Sequence, residues 1–311
     1  MKKVILTAAL AIAALTGLKA QQEAMFSQYM FNQVFLNPAY AGHNGYISST
    51  LLYRDQWANW DGAPKTAVLS VDGAFANNTM GWGLSLCNDK IGVNNNTDIY
   101  ASYAYKVRLG DKSRLSFGVR AGGTFINANR PDVYWDGQNG GDPNMDPYRG
   151  FATRVGFGMF FNSDKFYAGL SFPTLMAYVP RTKFNVDFTK TSFLRRHYFL
   201  QAGYIIKAND FLKIRPSFLM KYQTATVAPV QFDFNVHFLI NDKFWIGASY
   251  RTQDAIVGMA EILINRRFRI GYAYDYKLQS VKYNYVGASH EFMLGFDFGR
   301  GLLKIKTPRY F

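Results

Sequence analysis

The chain has 311 residues, a formal net charge of +14 and 49% hydrophobic residues, including 27 Phe, 21 Tyr and 27 Gly. Its mean hydropathy is only −0.13, and no run of about twenty apolar residues follows the N-terminus, which disfavours a bundle of membrane helices. The basic residues are scattered rather than clustered, which disfavours a nucleic-acid binder. The single cysteine, Cys87, permits no internal disulfide.

Met1–Ala20 is a predicted secretory signal peptide. Lys2 and Lys3 give the positive start, and Val4–Leu15 gives the apolar middle. The apolar run is short for the alternative, a membrane anchor. Cleavage after the small residue at position 20 leaves Gln21 at the new N-terminus, and since no cysteine follows the cut, the mature protein is not predicted to be a lipoprotein.

Residues 21–45 form a separate N-terminal segment without period-two alternation. Met25–Phe35 is rich in apolar residues and is followed by Asn37-Pro38, and Pro38 biases the residue before it away from helix. We predict a short helix or coil and then a turn. Met25–Tyr40 is too apolar to lie in water, so we expect this periplasmic or lumenal segment to pack inside a barrel or against a partner.

The stretch Pro229–Asn241, PVQFDFNVHFLIN, shows the pattern that dominates the remaining chain. Val230, Phe232 and every second residue onward are apolar, whereas the residues between them are mostly polar. Side chains in a β-strand alternate between two faces, so this pattern predicts a strand with one apolar and one polar face. It continues for about twelve residues, close to the roughly ten that a tilted strand needs to cross a bilayer.

Fourteen strand candidates of this kind follow one another between residues 46 and 298. They are Tyr46–Gln56, Lys65–Phe75, Met80–Asn88, Thr97–Lys106, Arg114–Phe125, Phe151–Asn162, Lys165–Phe172, His197–Lys207, Phe211–Lys221, Pro229–Asn241, Lys243–Arg251, Ala255–Asn265, Arg267–Tyr276 and Val286–Phe298. An even number suits a bacterial single-chain barrel. Residues 299–311 form a C-terminal tail.

Short and longer connections alternate along the candidates. Asn77-Asn78, Asn209-Asp210 and Asn241-Asp242 are typical hairpin turns, whereas Ile126–Gly150 and Pro173–Arg196 are long. Outer-membrane barrels show the same alternation, because their periplasmic turns are short and their extracellular loops are long. The sequence therefore predicts an all-β, transmembrane antiparallel β-barrel with both termini in the periplasm. The rival is a soluble β-sandwich, which would have shorter strands and fewer aromatic residues at their ends.

No catalytic, cofactor-binding or metal-binding set stands out. The four histidines are His43, His197, His237 and His290. His237 lies on the polar face of its strand, where we expect a solvated lumenal side chain. Asp233 precedes it by four residues, about 13 Å along a strand, too far for a direct acid–base pair.

Charged residues of both signs fall on the predicted inward register. Two interpretations are open: the cations form an anion-attracting interior, or they belong to a polar lumen balanced by carboxylates. The cations are Arg114, Arg120, Lys213, Arg215, Lys221 and Arg269, and the carboxylates are Asp98, Asp233, Asp275 and Asp297. The acidic stretch Asp132–Asp146 suits calcium ligands but lacks EF-hand spacing, so an external loop is expected. Glycines such as Gly81, Gly83 and Gly118 predict curvature or close approach in the lumen.

Four sequence strings resemble the PorP/SprF family of Bacteroidetes outer-membrane proteins, and they occur in order across nearly the whole mature chain. They are FSQYMFNQVFLNPAYAG (Phe26–Gly42), LLYRDQWANWDGAPKT (Leu51–Thr66), GWGLSLCNDKIG (Gly81–Gly92) and TPRYF (Thr307–Phe311). The resemblance implies a non-enzymatic part in the type IX secretion system, which exports proteins with C-terminal signals and serves gliding motility in relatives. It also implies periplasmic ring lipoproteins and a peptidoglycan-linked lipoprotein as partners.

Two further expectations concern function. The basic tail Arg300–Phe311 is expected in the periplasm, where its cations and terminal aromatic residues are available to a partner or to the barrel-insertion machinery. The alternative to a secretion-machine component is an outer-membrane porin or substrate-specific channel, which needs an open, water-filled lumen. An outer-membrane enzyme is disfavoured because the sequence offers no catalytic constellation.

Overall fold

The computed structural model describes residues 25–58, 60–75, 78–128, 147–178, 197–223, 230–265, 267–278 and 287–299. Fourteen antiparallel strands make up almost all of it. They are β1 (Ile47–Asp55), β2 (Lys65–Ala74), β3 (Met80–Ile91), β4 (Asn94–Arg108), β5 (Arg114–Ala128), β6 (Tyr148–Asn162), β7 (Phe166–Tyr178), β8 (His197–Tyr204, continued by Ile206–Lys207), β9 (Leu212–Gln223), β10 (Gln231–Ile240), β11 (Phe244–Arg251), β12 (Ala255–Ile264), β13 (Phe268–Lys277) and β14 (Ser289–Phe298).

The strands form one closed barrel. Each strand pairs with the next along the chain, and β14 pairs with β1 in a register that places Phe298 opposite Ile47 and His290 opposite Asp55. Closure leaves no strand edge unpaired, which removes the template for association that an open sheet would expose. The predicted antiparallel barrel and its strand number are confirmed.

The outer surface is apolar and the inner surface polar, as the period-two pattern predicts. In β10, Phe234, Val236 and Phe238 are exposed, whereas the alternating Asp233, Asn235 and other intervening residues are buried. Without a lipid environment this face would expose a large apolar surface to water. The outward side chains therefore form the lipid-facing belt of a membrane barrel.

Several strands extend further than the hydropathy pattern predicts. β3 and β4 continue to Ile91 and from Asn94, so a two-residue turn at Gly92 replaces the longer loop expected between Asn88 and Thr97. Gly92 has a positive φ of 55°, which suits this tight turn. β5, β6 and β7 are likewise longer, at 15, 15 and 13 residues. The added residues follow no apolar alternation because they lie past the belt.

All six connections at one end of the barrel are short, at three to five residues, whereas the other end carries the long connections as well as the tight turns at Gly92 and at residues 252–254. Asn241 and Asp242 both have φ of 54°, and the Lys243 N–H donates to the Ile240 carbonyl at 3.1 Å, the arrangement of a type I′ hairpin turn. We call this end the short-turn mouth; its connections are residues 75–79, 109–113, 163–165, 208–211, 241–243 and 265–267. The other end, where β1 ends and β14 begins, is the long-loop mouth.

Residues 25–45, the lumen segment, lie inside the barrel before β1 begins. They form a 3₁₀ turn (Tyr29–Phe31), one helical turn (Gln33–Leu36) and a second 3₁₀ turn (Pro38–Tyr40). Most of these residues are fully buried, including polar ones such as Gln28 and Asn37. None of the helices in the described ranges is long and apolar enough to cross a membrane.

Candidate functional site

The lumen segment begins at the long-loop mouth, where Glu291 holds it. The backbone N–H groups of Ser27 and Gln28 donate to the two carboxylate oxygens of Glu291, each at 2.8 Å. The Ser27 hydroxyl also donates to Asp275 at 2.7 Å, and Arg54 donates to that hydroxyl at 2.9 Å and to Glu291 at 3.0 Å. Glu291 lies near the start of β14 and Arg54 near the end of β1. One carboxylate thus joins the segment to both strands that close the barrel.

This contact belongs to a buried network of alternating charges. Arg251 lies 3.4 Å from Asp275 and 3.2 Å from Asp233, and further pairs continue along the wall. The network comprises four cations (Arg54, Lys221, Arg251 and Lys277) and four carboxylates (Asp233, Asp254, Asp275 and Glu291). The equal numbers matter because a buried charge without a counter-charge costs several kcal/mol. Burial alone would raise the pKa of Asp254, in the turn after β11, but Arg251 and Lys277 lower it.

Uncharged side chains of the barrel wall form hydrogen bonds with the middle of the lumen segment. Asn235 donates to the Tyr29 hydroxyl at 2.8 Å, and Gln201 donates to the Gln33 side-chain oxygen at 2.8 Å. The apolar residues Tyr29, Met30 and Leu36 pack against one cluster of wall side chains: Phe199, Leu219, Ala255, Val257, Met259 and Ala273.

Arg120 caps the helical turn of the segment. Its guanidinium donates to the Phe35 carbonyl at 3.0 Å and to the Pro173 carbonyl of β7 at 2.8 Å. The Ser171 hydroxyl donates to the Leu36 carbonyl at 2.7 Å. A helix end leaves carbonyl groups without internal partners and carries partial negative charge, so a cation and a hydroxyl donor suit this position.

Asn37 approaches the wall so closely that only glycine fits opposite it. Its side chain donates to the Met159 carbonyl at 2.9 Å and accepts from the Ala39 N–H at 3.0 Å, which caps the second 3₁₀ turn. A Cβ atom at Gly158 would lie 2.0 Å from the Asn37 oxygen, and one at Gly118 would lie 2.2 Å from the Ala39 nitrogen. These inward glycines therefore make room for the segment, in agreement with the close approach predicted for Gly118.

The segment ends at the short-turn mouth. The Gly42 N–H donates to Asp72 of β2 at 3.0 Å, and the Lys106 ammonium of β4 donates to the Gly42 carbonyl. The Tyr40 ring stacks on His43 with centroids 4.7 Å apart and meets Phe160 edge-on. From Ser27 to Gly42 the segment therefore runs from one mouth to the other, and its length occupies the lumen.

Two small cavities lie between the segment and the wall in the described ranges. One, of about 30 Å³, lies near the long-loop mouth beside Asn32, Tyr100 and Arg120. Another, of about 20 Å³, lies beside Phe31 and Trp245. Each has room for one or two water molecules, since a water needs roughly 10–15 Å³ on this measure. These spaces are far smaller than a solute-conducting channel.

The inward cations predicted from the sequence serve as partners for carboxylates, carbonyls and rings. Lys213 pairs with Asp242, Lys221 with Asp233 at 2.8 Å, and Arg269 with Asp297 at 3.6 Å. Arg120 holds the lumen segment, Arg215 lies over the Trp245 ring at 4.5 Å, and Arg114 is half-buried. Of the two interpretations, the balanced polar lumen describes these contacts better than an anion-attracting interior.

The expectation that His237 is solvated is wrong. Its side chain is fully buried, and its ring meets Phe31 and Trp245 edge-on at 6.1 and 6.3 Å between centroids. Phe31 belongs to the lumen segment, which fills the space where the sequence suggested water. Asp233 is paired with Lys221 instead. In the described ranges no group of three or more His, Cys, Asp or Glu is placed to hold a metal ion, and Asp132–Asp146 lies outside those ranges.

Among the residues that anchor the segment, Arg120 and Asp275 were predicted to face inward, but Ser27, Arg54, Arg251 and Glu291 were not singled out from the sequence. Ser27 carries no pattern of its own. Arg54, Arg251 and Glu291 do carry a signal, because each directly adjoins an outward aromatic residue of its strand and so lies on the inward register; those neighbours are Tyr53, Tyr250 and Phe292. Parity thus predicts that they face the lumen, but it does not predict that they meet there.

The fold and this site define a class: a transmembrane β-barrel of the outer-membrane type whose lumen is filled by the chain's own N-terminal segment. Comparison of the sequence with known protein families identifies the family. The model of the family described as "Type IX secretion system membrane protein PorP/SprF" matches residues 18–296, and the chain belongs to this family. The protein is therefore an outer-membrane component of the type IX secretion system, and the resemblance noted in the sequence is confirmed.

Solved structures similar to this chain include several bacterial barrels. The KdgM porin is 10% identical, with 81% of this chain and 99% of that chain covered and a TM-score of 0.40. Omp33 from Acinetobacter baumannii is 8% identical over 81% and 98%, with a TM-score of 0.45. The CymD monoaromatic hydrocarbon channel is 11% identical over 90% and 94%, with a TM-score of 0.46. No curated protein matches the sequence.

Proposed function

We propose that the protein is a non-enzymatic anchor of the secretion machine, which couples periplasmic partners to the outer membrane. By family resemblance, the partners are the periplasmic ring lipoproteins and a peptidoglycan-linked lipoprotein. The filled lumen carries this proposal. A porin needs a continuous watery path, whereas here residues 25–45 run from one mouth to the other with hydrogen bonds to the wall at each end.

Two measurements on the full-length protein test this function. Affinity capture of the tagged barrel from crosslinked outer membranes should recover periplasmic lipoproteins. The purified barrel in planar bilayers should show no stable single-channel conductance, whereas a variant lacking residues 25–41 should conduct. Recovery of the barrel alone, together with conductance by the unaltered protein, would favour the porin instead.

We further propose that the short-turn mouth faces the periplasm, in line with the usual asymmetry of outer-membrane barrels. This orientation puts the end of β14 in the periplasm but the start of the lumen segment at the cell exterior. It thereby departs from the expectation that both ends of the mature chain share one side, since Ser27 is bonded to Glu291 at the long-loop mouth.

Cysteine labelling tests the orientation, and the native chain offers a low background because its one cysteine, Cys87, is buried. A membrane-impermeant maleimide added to intact cells should label Met25→Cys, at the long-loop mouth. It should not label Asp210→Cys, in the exposed turn between β8 and β9, until the outer membrane is permeabilised. The opposite pattern would reverse the orientation.

A further inference from the structure

The connections at the short-turn mouth carry a net positive charge. Residues 108–114, 163–165, 207–211, 241–243 and 265–267 contain eight Lys or Arg and four Asp. Without the predicted signal peptide the whole chain carries +11, so these connections account for four of those charges. In sequence, residues 300–311 come after β14 and contain four more Lys or Arg and no acidic residue.

Ion pairs within the mouth leave part of this charge uncompensated. Lys112 pairs with Asp164 at 3.4 Å, and Lys207 pairs with Asp210 at 2.6 Å. Lys213 is the second residue of β9, its side chain faces the lumen, and it pairs with Asp242. Four exposed cations have no ion pair with any residue in the described ranges, and they come from four different connections around the mouth: Arg108, Lys165, Lys243 and Arg267.

Strand parity places Arg108, the last residue of β4, on the lumen side of the rim, because Tyr103 and Tyr105 of the same strand are exposed on the outer face. Lys165, Lys243 and Arg267 each directly precede an apolar residue at a strand start, Phe166, Phe244 and Phe268, and the first two of those rings are exposed on the outer face. Neighbouring residues of a strand point to opposite faces. The cations therefore border the opening, whereas a lipid-headgroup site would share the register of the outward rings.

We infer that this basic rim is the docking surface for an acidic face of a periplasmic protein. The inference rests on the proposed function and names the chemistry of the partner. A small anion has no route onward from the rim, because Gly42 and Tyr40 close the lumen directly beneath it. A macromolecule that covers the mouth can meet all four cations at once. Complementary charge of this kind speeds association and makes it sensitive to salt.

Carbodiimide crosslinking tests the partner's chemistry directly, because this reagent joins an amine to a carboxylate without a spacer. In intact outer membranes, Lys165 and Lys243 should be joined to Asp or Glu of a second polypeptide, identified by mass spectrometry. The double variant Lys165→Arg, Lys243→Arg keeps the charge but removes the amines. It should lose the crosslinks and still co-purify with the partner.

Charge reversal tests the contribution of the rim to binding. Lys165→Glu, Lys243→Glu and Arg267→Glu together should lower co-purification of the partner at least tenfold, and added salt should weaken recovery by the unaltered protein. The matched control reverses three exposed cations at the long-loop mouth and should have no effect: Lys65, Lys90 and Arg149. A heat-modifiable gel shift checks that both variants form folded barrels.

The outcomes separate this inference from the proposed function. If the rim variant recovers the partner as well as the unaltered protein does, or if the two lysines crosslink only to carboxylates of their own chain, the basic rim is not the docking surface. The anchoring function then stands with a different surface. If the unaltered protein recovers no periplasmic protein, both the inference and the proposed function fail.

Discussion

Glu291 is the position at which a single substitution should release the lumen segment. Its carboxylate accepts two backbone N–H groups, from Ser27 and Gln28, and pairs with Arg54. In Glu291→Ala both donors lose a charged acceptor, each worth roughly 1.5–3 kcal/mol, while Arg54 keeps Asp275. We therefore expect the start of the segment to detach more easily by about 3–5 kcal/mol.

This free energy corresponds to at least a hundredfold increase in the open fraction, because about 1.4 kcal/mol changes an equilibrium tenfold. The assay is the rate of maleimide labelling of Met25→Cys in the purified barrel, with and without Glu291→Ala. The control is Asp89→Asn, which alters a lumen-side carboxylate of β3 that accepts from Thr66 at 2.6 Å. Equal labelling rates in the presence and absence of Glu291→Ala would refute the reasoning that this carboxylate is the anchor.

Three further substitutions test the packing of the segment. Gly158→Ala places a methyl group against Asn37 and should lower the thermal midpoint of the barrel, as read by heat-modifiable gel shift; the control Gly258→Ala has open space around the new methyl group and should not. Asn37→Ala removes three hydrogen bonds, two to the wall and one within the segment, and should cost about 1–3 kcal/mol; unchanged denaturant midpoints would count against it. His237→Leu should leave the denaturant midpoint unchanged or raise it, because neither ring nitrogen has a hydrogen-bond partner in the described ranges. A markedly lower midpoint would mean that the imidazole bonds water or a group outside those ranges.

The barrel was predictable from the sequence because lipid imposes a local pattern. In a membrane-crossing strand each side chain faces either lipid or the lumen. The apolar residues Phe234, Val236 and Phe238 alternate with polar ones for this reason. The same reasoning failed where strands leave the membrane. Residues 94–96, all Asn, extend β4 by hydrogen bonding alone, so hydropathy gives no indication that the strand is still present.

The lumen site was not predictable in the same way. Ser27 and Glu291 are separated by 264 residues, and their contact depends on a closed barrel with a fixed register. Local composition indicated only that Met25–Tyr40 should not lie in water. The burial of His237 is a consequence of the same contact, since Phe31 of the segment covers it. A lumenal environment is set by what fills the lumen, which strand parity does not encode.

The hydrogen bonds of the lumen segment also bear on the order in which the barrel is built. Residues 33–42, nearest to β1, bond to early strands: β2, β4, β5, β6, β7 and β8. Residues 27–29 bond instead to β10, β11, β13 and β14, and to β1. The first set can form while the sheet is still open, whereas the second requires the last strands.

The segment therefore acts as a core around which the sheet can curl. Its half nearest to β1 fixes the curvature of the early strands, and its N-terminal half offers Ser27 and Gln28 to the incoming β14 just where that strand must meet β1. Closure of the barrel and binding of the N-terminal half of the segment therefore become a single event. A chain deprived of this segment would have to close its last seam over an empty lumen, in which Glu291 had lost the N–H groups of Ser27 and Gln28.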